Sequence, residues 1–312
     1  MVLELDQYAD GKAARLWSLY IGDQAQRTKN YKQFLKGILN SYNCETVLDV
    51  ACGTGIDSVM LIEEGFSVTS CDFSDKMLKS AWSTRWSRRK EPAFDNWDIY
   101  EANWLTLTSD LGTERQYDAV ICLGNSFAHL PDLTGNQDSH RLALKNFADM
   151  VKPGGILLID HRNYDSILDK GRAPTRNIYY NSQYVSDIKT SVVYQNGSPV
   201  KIILDYVMSD PSTTEQKYED NDRRKKSLFS TNPSDNEFTL SYYPHRLSSF
   251  RALLEEAFDH RATITTLGDF QPLEQAQDPA FYIHVVRKLP TVEDLGVEEV
   301  WQATSSSGEE FF

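Results

Sequence analysis

Cysteine is scarce, and the sequence has no C-x-x-C pair. Cys44, Cys52, Cys71 and Cys122 sit inside or beside apolar, strand-like runs, so they read as reduced packing residues rather than a disulfide framework. No apolar run approaches the roughly 18 residues of a membrane span, so no membrane partner is expected. The N-terminus lacks a basic start, an apolar stretch and a small-residue cleavage site, so the expected compartment is the cytoplasm. Positive charge is in deficit: 32 Lys and Arg stand against 45 Asp and Glu, a net charge of −13 that repels polyphosphates and argues against a nucleic-acid partner. The six histidines are scattered with no metal-ligand spacing, so no metal is expected.

What is present is the alternation of a globular α/β chain, with 40% hydrophobic residues over 312 positions. Short apolar runs predict strands at Thr46–Ala51, Ser67–Asp72, Asp98–Ala102, Tyr117–Leu123 and Gly155–Asp160. Amphipathic stretches between them predict helices over about Ile56–Glu64, Ser74–Arg89 and Gln137–Val151, the second capped by Ser74. That order gives a doubly wound, mostly parallel sheet over residues 45–176. Residues 177–243 turn β-rich (Asn177–Tyr180, Thr190–Tyr194, Val200–Val207, Glu237–Tyr243), with Gln195-Asn196-Gly197 as a hairpin turn, and read as an added antiparallel lobe. Within it, residues 209–235 mix polar residues with Arg223-Arg224-Lys225-Lys226 and are expected to form a mobile, solvated loop. Residues 244–288 return to the core sheet. The segment 289–312 carries six acids and no base and is expected to be a disordered tail.

The motif with chemical content is Val47-Leu48-Asp49-Val50-Ala51-Cys52-Gly53-Thr54-Gly55, a buried strand entering a glycine turn, followed 17 residues later by Asp72 at the end of the next strand. Gly53 and Gly55 permit a tight turn and close approach of a ligand, and an acid at the second strand end can accept from ribose hydroxyls. A lone G-x-G leaves a nicotinamide dinucleotide, S-adenosylmethionine or a plain structural turn open. Ser58 stands where a dinucleotide fingerprint has its third glycine, and Asp49 and Asp57 add negative charge. Such a site opposes a diphosphate and suits a sulfonium and an ammonium, which favours S-adenosylmethionine.

Ligands of open α/β sheets sit beyond the carboxyl ends of the strands, so the residues following each strand should converge. These are Ala51 to Gly55, Asp72, Asn103-Trp104, Leu123-Gly124-Asn125-Ser126 and His161-Arg162-Asn163. Asn103 can bond an adenine edge; Trp104 is either an apolar face for the ring or a core residue. Arg162, directly behind an apolar strand, offers a guanidinium fork for a substrate carboxylate, with an ion pair to Asp160 or Asp165 as the alternative. Asn125 and Ser126 can complete that shell. His129 is either near the cofactor or an ordinary hydrogen-bonded histidine.

The chain resembles the glycine N-methyltransferase family in Asp6-Gln7-Tyr8-Ala9-Asp10-Gly11, Val50 to Gly55, Leu123-Gly124-Asn125-Ser126-Phe127-Ala128-His129-Leu130, His161-Arg162-Asn163-Tyr164-Asp165 and Leu240-Ser241-Tyr242-Tyr243-Pro244-His245. The likeness runs in order over about residues 6–288. It implies a Rossmann-like methyltransferase sheet and methyl transfer from S-adenosylmethionine to the amine of glycine, giving sarcosine and S-adenosylhomocysteine. By matching motif it implies that Tyr8, Trp17, Tyr20, Arg27, Ala51, Asp72, Asn103, Trp104, Leu123 and His129 line the cofactor site together with Gly53 and Gly55. Tyr20, Gly124, Asn125 and Arg162 would hold the substrate, and Tyr8, Tyr180, Tyr206 and Tyr242 would shape the reacting end. It further implies a cytoplasmic homotetramer, an N-terminal helical segment over residues 1–44 that joins the active site and subunit contacts, and 5-methyltetrahydrofolate as an inhibitor. The chain departs from the animal pattern in its short stretch before Tyr8, its charged 209–235 loop, its acidic tail and Phe281-Tyr282 in place of tyrosine then phenylalanine. The rivals are an enzyme that methylates glycine and then sarcosine, and a folate- or S-adenosylmethionine-binding regulator without turnover.

Overall fold

The computed structural model describes residues 7, 29–132, 134–174, 177–179, 185–208, 236–291 and 294. The expected 209–235 loop, nearly all of the 289–312 tail and most of the 1–44 segment lie outside them. In chain order the elements are α1 (Lys29–Ser41), β1 (Thr46–Asp49), α2 (Ile56–Glu63), β2 (Ser67–Asp72), α3 (Asp75–Ser87), β3 (Asp98–Glu101), β4 (Tyr117–Cys122), α4 (Asp138–Met150), β5 (Val151–Arg162), α5 (Tyr164–Lys170), β6 (Val185–Gln195), β7 (Ser198–Met208), β8 (Glu237–Tyr242), α6 (Leu247–Ala257), β9 (Ala262–Gly268), β10 (Gln271–Pro272) and β11 (Phe281–Lys288). Among the described residues no helix is long and apolar enough to cross a membrane.

Eight strands form one sheet in the order β10-β9-β11-β5-β4-β1-β2-β3. Strands β1 to β5 pair in parallel, with Val47 opposite Val68 on one side and Ala119 on the other. Their short apolar sequences suit burial on both faces. One face is covered by α1 and α2, which bury Tyr31, Leu35, Leu39, Met60 and Leu61; the other is covered by α4 and α6 through Leu144, Phe147, Phe250 and Leu254. Each such side chain contributes roughly 1.5–3 kcal/mol by leaving water. Strand order reverses between β1 and β4, and the loops leaving their carboxyl ends diverge there to open a cleft.

The glycine turn after β1 has a packing cause. Gly55 begins α2 at φ 83°, and a Cβ on it would lie 2.8 Å from the Trp97 ring and 3.0 Å from the Ala81 methyl. Both the left-handed backbone and the missing side chain are needed, so Gly55→Ala should cost roughly 2–4 kcal/mol. Thermal or urea unfolding would measure it, and a loss below 1 kcal/mol would contradict the packing argument.

Three expected elements differ, two of them in or beside the main sheet. Ser74 occupies the position before α3, yet its hydroxyl makes no capping bond; its N–H donates to Asp72 Oδ1 at 2.9 Å instead. The fifth strand extends beyond Asp160 to Arg162, because antiparallel β11 pairs Ile283, Tyr282 and Phe281 with Asp160, His161 and Arg162. Arg162 therefore sits on a strand rather than in the loop after it.

The added sheet is β6-β7-β8, antiparallel throughout. Asn196 and Gly197 have φ of 52° and 80°, the two left-handed residues that a tight hairpin of matching twist requires, and the hairpin stands where the sequence put it. Period-two burial on β7 turns Ile202, Leu204, Tyr206 and Met208 inward, opposite Phe238, Leu240 and Tyr242 of β8. Asn177–Tyr179 form no strand. Asn177 Oδ1 accepts from Tyr179 N at 2.8 Å in a local turn, which sends the Tyr179 ring into the core.

Candidate active site

The cleft at the carboxyl ends of β1 to β4 encloses about 1030 Å³ counting its open mouth. Ala51, Gly53, Asp72, Asn103, Trp104, Gly124 and His129 line it, together with Gln7, Met77 and Leu130. Asp72 closes β2 and braces the glycine turn: Oδ2 accepts from Gly53 N at 2.8 Å while Oδ1 accepts from Ser74 N. Asn103 Oδ1 accepts from Leu105 N at 2.9 Å, which commits its acceptor locally and leaves the amide NH2 as the group it can offer to a base. Trp104 is both cleft wall and packed residue: its indole N–H donates to Val50 O at 2.6 Å and its ring stacks on Phe127.

Asp49 and Ser58 have a different role from the one their positions predict. Asp49 lies under the glycine turn, accepting from Ser58 Oγ at 2.7 Å and from Ala51 N at 3.3 Å. Burial pushes its pKa up to about 7, so it holds only part of a negative charge at neutral pH. Ser58 in turn accepts from Ser70 Oγ, which accepts from the Trp97 indole. Asp57 accepts from Tyr31 OH at 3.0 Å. Of the three carboxylates of Asp49, Asp57 and Asp72, only that of Asp72 lines the cleft.

Behind the cleft lies a second, more deeply buried group. Arg162 is 4% exposed, with its guanidinium 5.1 Å from the Phe281 ring centre and an Nη2 contact of 3.5 Å to Tyr206 OH. Asn125 adopts a left-handed φ of 66°; its Oδ1 accepts from Arg162 N at 2.9 Å and Tyr164 OH at 3.0 Å, and its N–H donates to Asp160 Oδ1 at 2.8 Å. The Asn125 amide NH2 is buried with no partner among the described residues. Tyr206 and Tyr242 share a hydroxyl contact of 3.0 Å, and the Tyr242 ring lies 4.6 Å from His129. These contacts run without a break from the cleft wall to the guanidinium. The alternative partner Asp165 is engaged elsewhere, by Arg246 at 3.1 Å.

The structure therefore gathers the expected residues into two adjoining places. Gly55 and Leu123 serve the core beside the cleft rather than lining it. Tyr8, Trp17, Tyr20, Arg27 and Tyr180 lie outside the described residues. The sequence reading named Asp160 only as an ion-pair alternative for Arg162 and missed Tyr179, whose hydroxyl donates to that carboxylate. Burial pushes Asp160 up to about 7. Its place at the end of an apolar strand beside Arg162 was the available signal. Gln7 was also missed as a wall residue. No group of side chains suited to holding a metal occurs among the described residues.

Residues 47–155 match the methyltransferase domain family. The fold is that of the S-adenosylmethionine-dependent methyltransferases: the chain resembles the crystal structure of one from Clostridium acetobutylicum ATCC 824 with a TM-score of 0.57 and 14% identity, over 84% of this chain and 92% of that one. Over 286 residues it is 55% identical to glycine N-methyltransferase of Rattus norvegicus, spanning 91% of this chain and 93% of the relative. It is 33% identical over 283 residues to glycine/sarcosine N-methyltransferase of Aphanothece halophytica, spanning 91% and 90%. The chain belongs to the glycine N-methyltransferase family.

Proposed function

We propose that the chain is an enzyme that transfers a methyl group from S-adenosylmethionine to the amine of glycine, giving sarcosine and S-adenosylhomocysteine by direct in-line displacement. The observation that carries the reading is the buried Arg162 guanidinium joined to the cleft through Tyr206, Tyr242 and His129. A guanidinium at that depth fits a small carboxylate, and an amino acid held by it would present its amine toward the cleft. The donor set of the cleft fits S-adenosylmethionine: a carboxylate for ribose hydroxyls in Asp72, an amide for the adenine edge in Asn103, and an aromatic wall in Trp104. Bound there, S-adenosylmethionine supplies an electrophilic methyl. The chain's residues align the amine lone pair, hold the carboxylate and exclude water, and orientation of this kind recovers on the order of 7–11 kcal/mol of barrier. Tyr206 and Tyr242 offer ring faces and hydroxyls that tolerate positive charge at the reacting atoms.

On the family resemblance we extend the proposal to Tyr8, Trp17, Tyr20, Arg27 and Tyr180 as further wall residues. By the same route come a cytoplasmic homotetramer and inhibition by 5-methyltetrahydrofolate. Incubation with S-adenosylmethionine and glycine, sarcosine or dimethylglycine, with mass detection of each product, tests the reading. Sarcosine from glycine, with no further methylation, is expected. Dimethylglycine as the main product would assign the chain to the glycine/sarcosine type, and no transfer alongside tight folate binding would make it a regulator.

A further inference from the structure

Gln7 reaches β8 with its side chain alone. Ser241 N–H donates to Gln7 Oε1 at 2.6 Å, and Gln7 Nε2 donates back to Ser241 O at 2.9 Å. These two bonds fix which end of the amide is oxygen and which is nitrogen, a choice that a single contact would leave open. Nε2 carries a second hydrogen, and His129 Nδ1 lies 3.1 Å from it. The same Nδ1 is 3.2 Å from Ser241 O, so distance alone allows it to be either acceptor or donor.

The amide decides between them. An amide NH2 can only donate, so a hydrogen on Nδ1 would face the hydrogens of Nε2. With a lone pair on Nδ1, both hydrogens of Nε2 find acceptors, one on Ser241 O and one on the ring. We infer that Gln7 holds His129 as the Nε2–H tautomer and is thereby a positioning residue for the wall of the cleft. Burial pushes His129 down to about 4, so the ring is neutral at physiological pH and has one hydrogen to place. Gln7 places it on Nε2, the ring nitrogen away from Ser241, and so sets which ring atom of this wall residue is the donor. Both residues line the cleft, and the imidazole also rests on Tyr242, so its setting bears on both ends of the site. The step from tautomer to ligand binding rests on the proposed methyl-donor reading; the tautomer itself does not.

Two-bond 1H–15N correlation spectra of the full chain, labelled at histidine and recorded without substrate, read the tautomer directly. The wild type should show Nε2–H with a bare Nδ1. Gln7→Glu keeps the length but puts an acceptor oxygen where the NH2 was, and Gln7→Ala leaves only Ser241 O beside the ring. In both, Nδ1 should become protonated. With S-adenosylmethionine as the varied substrate, both variants should raise KM about tenfold while kcat falls less than threefold. A wild-type ring with hydrogen on Nδ1 overturns the inference, as does a bare Nδ1 retained in both variants. Because the spectra need no turnover, they stand even if glycine proves to be the wrong substrate.

Discussion

Arg162→Ala should lower glycine turnover by at least a hundredfold, while the affinity for S-adenosylmethionine changes less than threefold. The asymmetry follows from position: Arg162 is 4% exposed behind the cleft and is absent from its lining, whereas Asp72, Asn103 and Trp104 form that lining. Truncating one partner of a buried, hydrogen-bonded charge pair across a binding contact costs roughly 2–5 kcal/mol or more, which at about 1.4 kcal/mol per factor of ten centres beyond two orders of magnitude. Arg162→Lys should recover little, since an ammonium lacks the planar fork that meets two carboxylate oxygens at once. Steady-state rates against glycine, paired with calorimetric titration of the methyl donor, separate the two quantities. Turnover kept within threefold, or donor affinity lost along with it, would remove Arg162 from the role assigned to it.

Acid should unfold the protein steeply between pH 6.5 and 4. His161, His245 and His284 are buried around Phe250 and His140 packs on His245, with rings 4.5 Å apart in His140 and His245 and 5.2 Å apart in His161 and His284. Burial lowers all four, His161 to about 4, and His129 falls to about 4 for the same reason. In the unfolded chain each titrates near 6.5. Folded values below the unfolded one mean that their contribution is complete above about pH 6.5 and is lost as pH falls. Asp49 and Asp160 act in the opposite sense: burial raises both to about 7, so the folded chain holds protons that the unfolded chain has released above pH 4. On unfolding in mild acid the five histidines take up protons and the two carboxylates release them, so with five groups against two the net effect is loss of stability as pH falls. Circular dichroism and tryptophan fluorescence at fixed temperature should place the midpoint between about pH 4 and 5.5, and His245→Phe should flatten the slope. Native spectra and an undiminished Tm at pH 4 would contradict the assignment of these rings as neutral.

Local signals carried most of the architecture. Period and turn chemistry placed β1 to β4, the hairpin at Asn196-Gly197 and the glycine turn, because each is decided within a few residues. Where reading from sequence failed, a partner distant in the chain decided the outcome. β5 runs on to Arg162 because β11, more than a hundred residues later, supplies hydrogen bonds there. At Ser74 the backbone N–H is held by the Asp72 carboxylate and the hydroxyl makes no capping bond. Tyr179 leaves the strand pattern because its hydroxyl has a buried carboxylate to meet in Asp160. The site divides the same way: Asp72 and Arg162 end strands, Asn103 and Trp104 follow one, and all four were legible from the strand pattern, whereas Gln7 meets Ser241 across 234 positions and gave no local trace. Asp49 was visible as an acid near the glycine turn, but nothing in its neighbours' identities announced that it lies beneath the turn, where burial raises its pKa.

The overhang of β5 sets an order of assembly. β4 accompanies β5 as far as Ile159, and Asp160, His161 and Arg162 find their strand partners in β11 alone. A nascent polypeptide leaving the ribosome exposes β1 to β5 while residues 281–288 have yet to be translated. The half of the site built on Asp72 and the glycine turn is closed by early segments, and the guanidinium end waits for the last strand of the sheet. Completion of the acceptor end therefore reports that the polypeptide has been made through β11.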